Sequence, residues 1–464
     1  MRKTLVIDVV GLAEHLLGEA TPHLNAFAEQ GVLRPLTTVT PAVTCSAQST
    51  FLTGKLPSEH GIVGNGWYFR ELGEVWFWRQ SNRLVEAKKV WEAGRERDPA
   101  FTCANLFWWY NMVTNVDWAV TPRPMYPADG RKLPDVYTKP AALRDELSQA
   151  LGTFPLFKFW GPAADISSSR WITDAALHVM RKHDPTLTLV YLPHLDYGLQ
   201  RLGPDLTSAR VRKDLREVDA LCGELIQEAR ATGRSVIVLS EYGITRVSAG
   251  VDINRELRRA NLLAVREELG RELLDPGASD AFAVVDHQLA HVYVANPARI
   301  SEVRQLLEKL DGVERVLDAG EQRAIGVNHG RSGELVAISR PDRWFTYYYW
   351  LDPERAPDFA TTVDIHRKPG YDPVELFLDP AITLPKLSIG WRLAKKAAGF
   401  RTLMDVISAE RSDLVKGSHG RLTDAPEEGP LFMSDSPHLL ADGPVQGVDV
   451  HDLMLRHVFG AQGR

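Results

Sequence analysis

Cysteine is scarce in this chain. The three present, Cys45, Cys103 and Cys222, are too few and odd in number for a disulfide framework. They fit a reducing compartment, so a cytoplasmic location is expected. Long apolar runs are missing too: no stretch of about 18 apolar residues occurs, and no membrane span is expected. Positive charge is not in excess. The 54 Lys and Arg against 60 Asp and Glu leave a net charge of −6. Bulk electrostatics therefore does not favour a nucleic-acid polymer or an anionic membrane as partner, although local basic patches stay open. There is no internal repeat, no low-complexity tract and no Gly-x-Ser-x-Gly elbow, which sets a serine hydrolase aside. The basic-then-apolar opening, Met1 to Asp8, mimics a secretory leader. Asp8 interrupts it, Glu14 and His15 follow, and no small-residue cleavage site appears, so it reads as a buried first strand.

What remains is an ordinary globular composition, 44% hydrophobic and 25% charged over 464 residues, a length that allows two or three domains. Nearly continuous apolar, β-branched runs at 4–10, 186–192 and 235–239 read as buried strands. Helical spacing marks 19–30, 46–52, 85–94, 168–182 and 208–232, the last with Val211, Leu215, Val218, Leu221, Leu225 and Ile226 on one face. Residues 99–106 suit a strand, and the Gly- and Trp-rich 61–79 suit a loop or hairpin. The aromatic stretch 107–125 is expected to pack as a surface lid. This alternation predicts a doubly wound, mostly parallel α/β sheet flanked by helices, with ligands just outside the carboxyl ends of the strands. Past Val251 the pattern changes. Helices over 254–272 and 299–310 bracket a strand at 291–294, further strands stand at 313–317 and 334–338, and a Pro-rich segment runs to Pro385. The predicted organisation is a first core part over 1–250, an inserted α+β cap over 251–400 with some return to the core, and a C-terminal core part over 401–464.

Polar residues with metal-ligating or nucleophilic chemistry stand at or just past the ends of the apolar runs. They are Asp8, Thr44, Asp196, Glu241 with Tyr242, and a late His419 in Lys416-Gly417-Ser418-His419-Gly420. Thr44 lies nine residues before Thr53-Gly54, and Asn65 follows His60-Gly61-Ile62. In this order the motifs resemble the alkaline phosphatase superfamily, in the branch of type I nucleotide pyrophosphatase/phosphodiesterases and phosphonoacetate hydrolase. The resemblance covers roughly 1–65, 185–245 and 412–437. It implies an alkaline-phosphatase-like core and a phospho-ester or phosphonate hydrolase with Thr44 as nucleophile. Asp8 and Thr44 would ligate one metal of a pair, Asp196 and His419 the other, and Asn65 would bind the phosphoryl group. A Thr hydroxyl is a poor nucleophile near neutrality without such activation, and a helix N-terminus suits the anion.

Three positions depart from that pattern. Gln200 stands where the family has His, and Glu241-Tyr242 where it has Asp-His. The set Asp8, Thr44, Asp196, Gln200, Glu241 and Tyr242 is thus oxygen-rich, with His419 its one nitrogen. The resemblance implies zinc. The donors suit one or two Mg²⁺ or Mn²⁺ ions better. Gln48 is a weaker substrate-contact candidate. His419 is preferred over His329 as the late ligand. His194 could replace a lost ligand. His60 is read as structural, and His287 and His291 as packing in the cap. Asp364, His366 and Arg367 form a polar cluster of unassigned role. The expected partner is a small-molecule phosphate or phosphonate ester. The alternative is a non-catalytic phospho-ligand-binding member that has lost one or both metals. A sulfatase is discounted, because Ala47 and Ser49 stand where its Pro and Arg would be.

Overall fold

The computed structural model describes residues 1–460. At its centre the strands Ser235–Leu239, Thr4–Val9, Leu187–Leu192, Cys103–Leu106 and Trp118–Pro122 lie side by side, all parallel. Leu431–Ser434 and Val136–Lys139 add antiparallel strands at the two sides, and Val32–Thr37 and Val445–Gln446 complete a nine-stranded sheet. The three innermost strands carry no in-out alternation because both their faces are covered, and every residue in them is buried. The long helix Ala209–Ala231 starts at Ser208, whose side chain accepts from Val211 N. It packs its apolar face against the sheet, each buried aliphatic side chain contributing about 1.5–3 kcal/mol.

Beyond Val251 a second, antiparallel sheet forms in the order Ala281–Asp286, Leu289–Val294, Leu335–Ser339, Val313–Leu317. It has its own core, including Val284, Val292, Val303 and Leu307. Its first hairpin turns on His287 and Gln288, with His287 at φ 61°. That tip docks on the main body, where Gln288 N donates to the His419 carbonyl at 2.8 Å.

Four expected elements come out differently. The helix expected over 254–272 stops at Arg259, and a hairpin, Val265–Glu268 with Arg271–Leu274, takes over. Its turn, Leu269-Gly270, is left-handed at φ 52° and 77°, a geometry a helix cannot use. The strand Ala281–Asp286 went unread beside its partner. The stretch 107–125 is no surface lid: Trp108 and Tyr110 are buried and Trp118–Pro122 is a strand of the main sheet. The Pro-rich segment ends in a helix, Pro385–Ala397, with Pro385 in its first turn.

Candidate functional site

Strand register assembles the site. Asp8 lies level with Leu239 on one side and Tyr191 on the other. The residues that follow those strands, Glu241 and Tyr242 in one case and Asp196 in the other, therefore emerge at the same end of the sheet. Thr44 begins the helix Thr44–Thr53, all ten of whose residues are buried. A buried helix this polar persists because its side chains are bonded: Ser46 Oγ donates to the Ile62 carbonyl at 2.9 Å, and Thr50 Oγ1 meets His60 Nε2 at 3.0 Å. Gly243, after Tyr242, admits no side chain, because a Cβ there would lie 1.6 Å from the Glu428 carbonyl oxygen.

Two amides organise the carboxylates. Gln48 Nε2 donates to Glu241 Oε1 at 2.6 Å and to Asp8 Oδ2 at 3.3 Å. Its Oε1 accepts from Trp109 N at 2.7 Å, which fixes the amide with its NH₂ toward the acids. Gln200 Nε2 donates to Asp196 Oδ2 at 2.8 Å and contacts Tyr371 Oη at 3.1 Å. Between the two halves lies Tyr242. Its Oη stands 3.2 Å from Thr44 Oγ1 and donates to Asp196 Oδ1 at 3.4 Å. The Tyr242 ring stacks on His419 with centroids 3.5 Å apart. His419 Nδ1 donates to the Ala42 carbonyl at 2.8 Å, which leaves Nε2 as a free lone pair, 3.9 Å from Asp196 Oδ1.

The pocket is buried, and its electrostatics follow from that. Burial, then the neighbouring Glu241 charge, pushes Asp8 well above the ordinary carboxylate range. Burial likewise pushes Glu241 and Asp196 up to about 7. Burial drives His419 and His287 well below the usual imidazole value, so both are neutral. Among the described residues no Lys or Arg pairs with Asp8, Asp196 or Glu241. Thr44 keeps 3% of its surface exposed and Asp196 6%.

The structure gathers Asp8, Thr44, Gln48, Asp196, Gln200, Glu241, Tyr242 and His419 in one pocket. Asn65 sits beside them but is engaged elsewhere: Oδ1 accepts from Cys45 N at 2.9 Å, and its N and Nδ2 donate to Asp286 at 2.7 and 3.1 Å. His194 does not turn toward Asp196. It opens a helix, His194–Leu202, and faces Asp214 and Glu217 at 3.3 and 3.6 Å. His329 lies outside the pocket, against Glu86. His60 is buried against Thr50, and His291 contacts the Val63 carbonyl. Sequence reasoning assigned His287 to cap packing. The hairpin tip instead inserts it between Tyr371 and His419, with ring centroids 3.6 and 3.7 Å away. Asp286 and Tyr371 were missed altogether. The one available signal was Asp-His-Gln between two short, nearly continuous apolar runs, which suits a tight hairpin.

A cation can be tested against these donors. Asp8 Oδ1 and Glu241 Oε2 are buried without a hydrogen-bond partner, and Thr44 and Tyr242 offer hydroxyls beside them. Two desolvated acids with raised affinity for positive charge fit one hard divalent ion. The other half offers two imidazoles, His419 and His287, each with a buried Nε2 that has no hydrogen-bond partner, but Gln200 already occupies one oxygen of its single carboxylate, which leaves a zinc ion there short of a full tetrahedral set. Among the described residues, the one place where three His, Cys, Asp or Glu donors come within 4.8 Å of one another is His194, Asp214 and Glu217, outside this pocket.

Sheet, insert and pocket together define a doubly wound, mostly parallel α/β protein with a second, antiparallel sheet closing over its pocket. The chain belongs to the type I phosphodiesterase/nucleotide pyrophosphatase family, whose sequence model matches residues 4–372. It is similar to an uncharacterized pyrophosphatase/phosphodiesterase of Schizosaccharomyces pombe, 27% identical over 259 residues; the match covers 53% of this chain and 45% of that protein. The chain thus spans less than half the length of that curated relative. Among solved structures, murine ectonucleotide pyrophosphatase/phosphodiesterase 5 in complex with AMP superimposes with a TM-score of 0.58 at 15% identity, over 99% of this chain and 95% of that one. Phosphonoacetate hydrolase from Sinorhizobium meliloti in complex with phosphonoformate gives 0.61 at 14% identity, over 98% and 96%. At such identities the superpositions speak for the fold alone. No helix among the described residues is long and apolar enough to cross a membrane.

Proposed function

We propose that this protein hydrolyses a phosphodiester, phosphate monoester or phosphonate bond through a phospho-Thr44 intermediate. The observation that carries this reading is the chain Thr44 Oγ1, Tyr242 Oη, Asp196 Oδ1 at 3.2 and 3.4 Å, ending on a carboxyl pushed up to about 7. A group with that affinity accepts a proton at neutral pH and returns it. Thr44 Oγ attacks phosphorus while its proton moves to Tyr242, and the Tyr242 proton moves to Asp196. The bond to the leaving group breaks, and its electron pair departs with that group. Water then cleaves the phosphothreonine, and the relay runs back to restore the Thr44 hydroxyl. Asp8 and Glu241 would hold one Mn²⁺ or Mg²⁺ ion, which when bound neutralises phosphoryl charge. Gln48 keeps those two carboxylates together, and Gln200 orients Asp196.

The test is turnover of a chromogenic phosphodiester with Mn²⁺, Mg²⁺ or Zn²⁺, with Thr44→Val as control and mass spectrometry for a Thr44 phosphate ester that keeps the substrate's second substituent. Wild type and Thr44→Val that are indistinguishable with every metal would overturn the reading. A second reading, a phospho-ligand-binding member without turnover, is favoured by one observation. Each acid of the pocket already accepts from a glutamine amide, and Thr44 is nearly sealed. Calorimetric binding of AMP or a phosphonate without product formation would select it.

A further inference from the structure

A cavity of about 1190 Å³ adjoins the pocket. Trp78, Trp109 and Trp160 form its inner wall. Trp109 N is bonded to Gln48, and the rings of Trp78 and Trp160 lie 6.1 and 5.7 Å from that of Tyr371. One aromatic layer thus separates the cavity from the Thr44 pocket. The mouth is apolar and exposed: Leu72, Val113, Tyr126, Phe157, Leu393 and Leu403 all line it and all face solvent. They come from separate segments of the chain, so the greasy rim is a property of the fold.

The helix Pro385–Ala397 borders that rim and buries none of its own residues. Ile389, Leu393 and Lys396, at helical spacing, face the cavity. Leu387 and Trp391, four residues apart, point away from it, 69% and 63% exposed, and Phe400 beyond the helix is 66% exposed. Large apolar side chains concentrated this way mark a contact surface. The charge says with what. Between Asp379 and Asp405 there is no acidic residue, and there are five basic ones: Lys386, Arg392, Lys395, Lys396 and Arg401. Arg392 is paired with Asp405 at 2.7 Å; the other four form no ion pair among the described residues. Lys395, one turn after Trp391, holds its Nζ 5.2 Å from that ring, so the outward face joins Leu387 and Trp391 to a cation and carries no acid, a combination suited to the interface of an anionic bilayer. The chain's net charge of −6 makes this local reversal of sign the more specific.

We propose that residues 384–403 dock the protein on an anionic lipid bilayer, and that the adjoining cavity takes the long apolar tail of a phospho-ester presented from that bilayer. Docking stands on the surface itself. The identity of the ester rests on the hydrolase reading of the Thr44 pocket.

Flotation of the full chain with vesicles of phosphatidylcholine, alone or mixed with phosphatidylglycerol, tests the first part. The wild type is expected to float with the mixed vesicles and not with the neutral ones, and to be released by high salt. Leu387→Glu with Trp391→Glu is expected to lower the vesicle partition at least tenfold, and Lys386→Glu with Lys395→Glu at least as much, since each surface cation contributes roughly fivefold. All four positions lie outside the cavity wall, and an unchanged melting temperature checks that the variants fold. Failure to float, or equal flotation of wild type and variants, overturns the proposal. So does a dimer dissolved by the Leu387 and Trp391 substitutions, because the face would then belong to a second copy. For the ester, the Leu387/Trp391 variant should cleave a small soluble phosphodiester at the wild-type rate and a long-chain one in mixed vesicles at least tenfold more slowly. Equal loss on both substrates would refute the tail assignment. Wild type inert toward both would instead sink the hydrolase reading and leave the flotation result standing.

Discussion

Replacing Gln48 with glutamate swaps one nitrogen for oxygen at the point where three groups meet. The wild-type amide donates to Glu241 Oε1 at 2.6 Å and Asp8 Oδ2 at 3.3 Å. An ionised carboxylate there would face each acid with a repulsion of about 5–6 kcal/mol at an effective dielectric of about 20. The introduced group therefore takes a proton. Protonated, it can donate as the amide did, while its other oxygen still accepts from Trp109 N. The trio thus binds one proton more than the wild-type pair, and this proton is shared, not assignable to one acid. In the unfolded chain the introduced carboxyl titrates near 4.3. Its folded value is raised, so the substitution costs little below about pH 4.3 and about 1.4 kcal/mol more for each pH unit above, as long as the extra proton is held. The expected loss is about 1 kcal/mol at pH 5 and about 5 kcal/mol at pH 8. Urea midpoints of wild type and Gln48→Glu, measured in EDTA at both pH values, give the difference. Added Mn²⁺ should recover part of the loss at pH 8, because three carboxylates hold a hard cation better than two. A destabilisation that does not change between pH 5 and pH 8 would refute the shared-proton reasoning.

Tyr242→Phe removes the hydroxyl between Thr44 and Asp196, and kcat should fall about 10²- to 10⁴-fold with KM little changed. The acid limb of the wild-type kcat–pH profile, set by an Asp196 that is pushed up to about 7, should disappear in the variant. His60 is held down to about 3, by burial first and then by the charges of His329 and Arg331. Its contribution is complete above pH 6.5 and lost as pH falls toward 3, roughly 4–5 kcal/mol in all. His60→Gln should therefore flatten the acid limb of a melting-temperature series. Lys368 bonds Asp372 at 2.7 Å and Glu375 at 2.8 Å, with all three side chains 1% exposed. Lys368→Met strands both acids and should cost about 3–5 kcal/mol in urea denaturation, while Asp372→Asn, which keeps one partner charged, should cost less.

The parts of the molecule that were legible from sequence share one physical property: their pattern is local. Thr4–Val9, Leu187–Leu192 and Ser235–Leu239 carry six or five consecutive buried residues each, and runs that short and that rich in β-branched and aliphatic residues between helical patterns read as inner strands. The same runs pointed to Asp8 near the end of the first strand and to Asp196, Glu241 and Tyr242 just past the other two, which the structure gathers in one pocket. What stayed hidden depends on contacts distant in the chain. Tyr371 reaches Gln200 across 171 positions, and no local pattern announces it. His287 looked like an ordinary cap residue until the hairpin turn placed it. His194 was misjudged through its element: on a strand it would have pointed with Asp196, but on a helix two residues of separation turn it toward Asp214. The helix expected across 254–272 ends early because Leu269-Gly270 makes a left-handed turn, which the helical spacing around it does not reveal.

The hidden residues also decide what the inserted sheet does. Asp286 ends its first strand and accepts both the backbone N and the Nδ2 of Asn65. Asn65 in turn accepts Cys45 N at 2.9 Å, the donor next to Thr44 at the start of the buried helix. The position of Thr44 is therefore set by a carboxylate on another sheet, through one intermediate side chain. The next residue, His287, closes the far side of the pocket against His419 and Tyr371. A hydroxyl that must lie within hydrogen-bond reach of Tyr242 tolerates little slack. Asp286→Asn illustrates the point: one oxygen becomes a donor facing donors, the Asn65 contacts are weakened, and the helix start loosens by way of Cys45. The insert cannot be a detachable cover. Without it the parallel core would still place Asp8, Glu241 and Asp196 at one end of its strands, and Ser46 and Thr50 would still bond Ile62 and His60, but the Asn65 bond to Cys45 N at the helix start would lose the carboxylate that orients it.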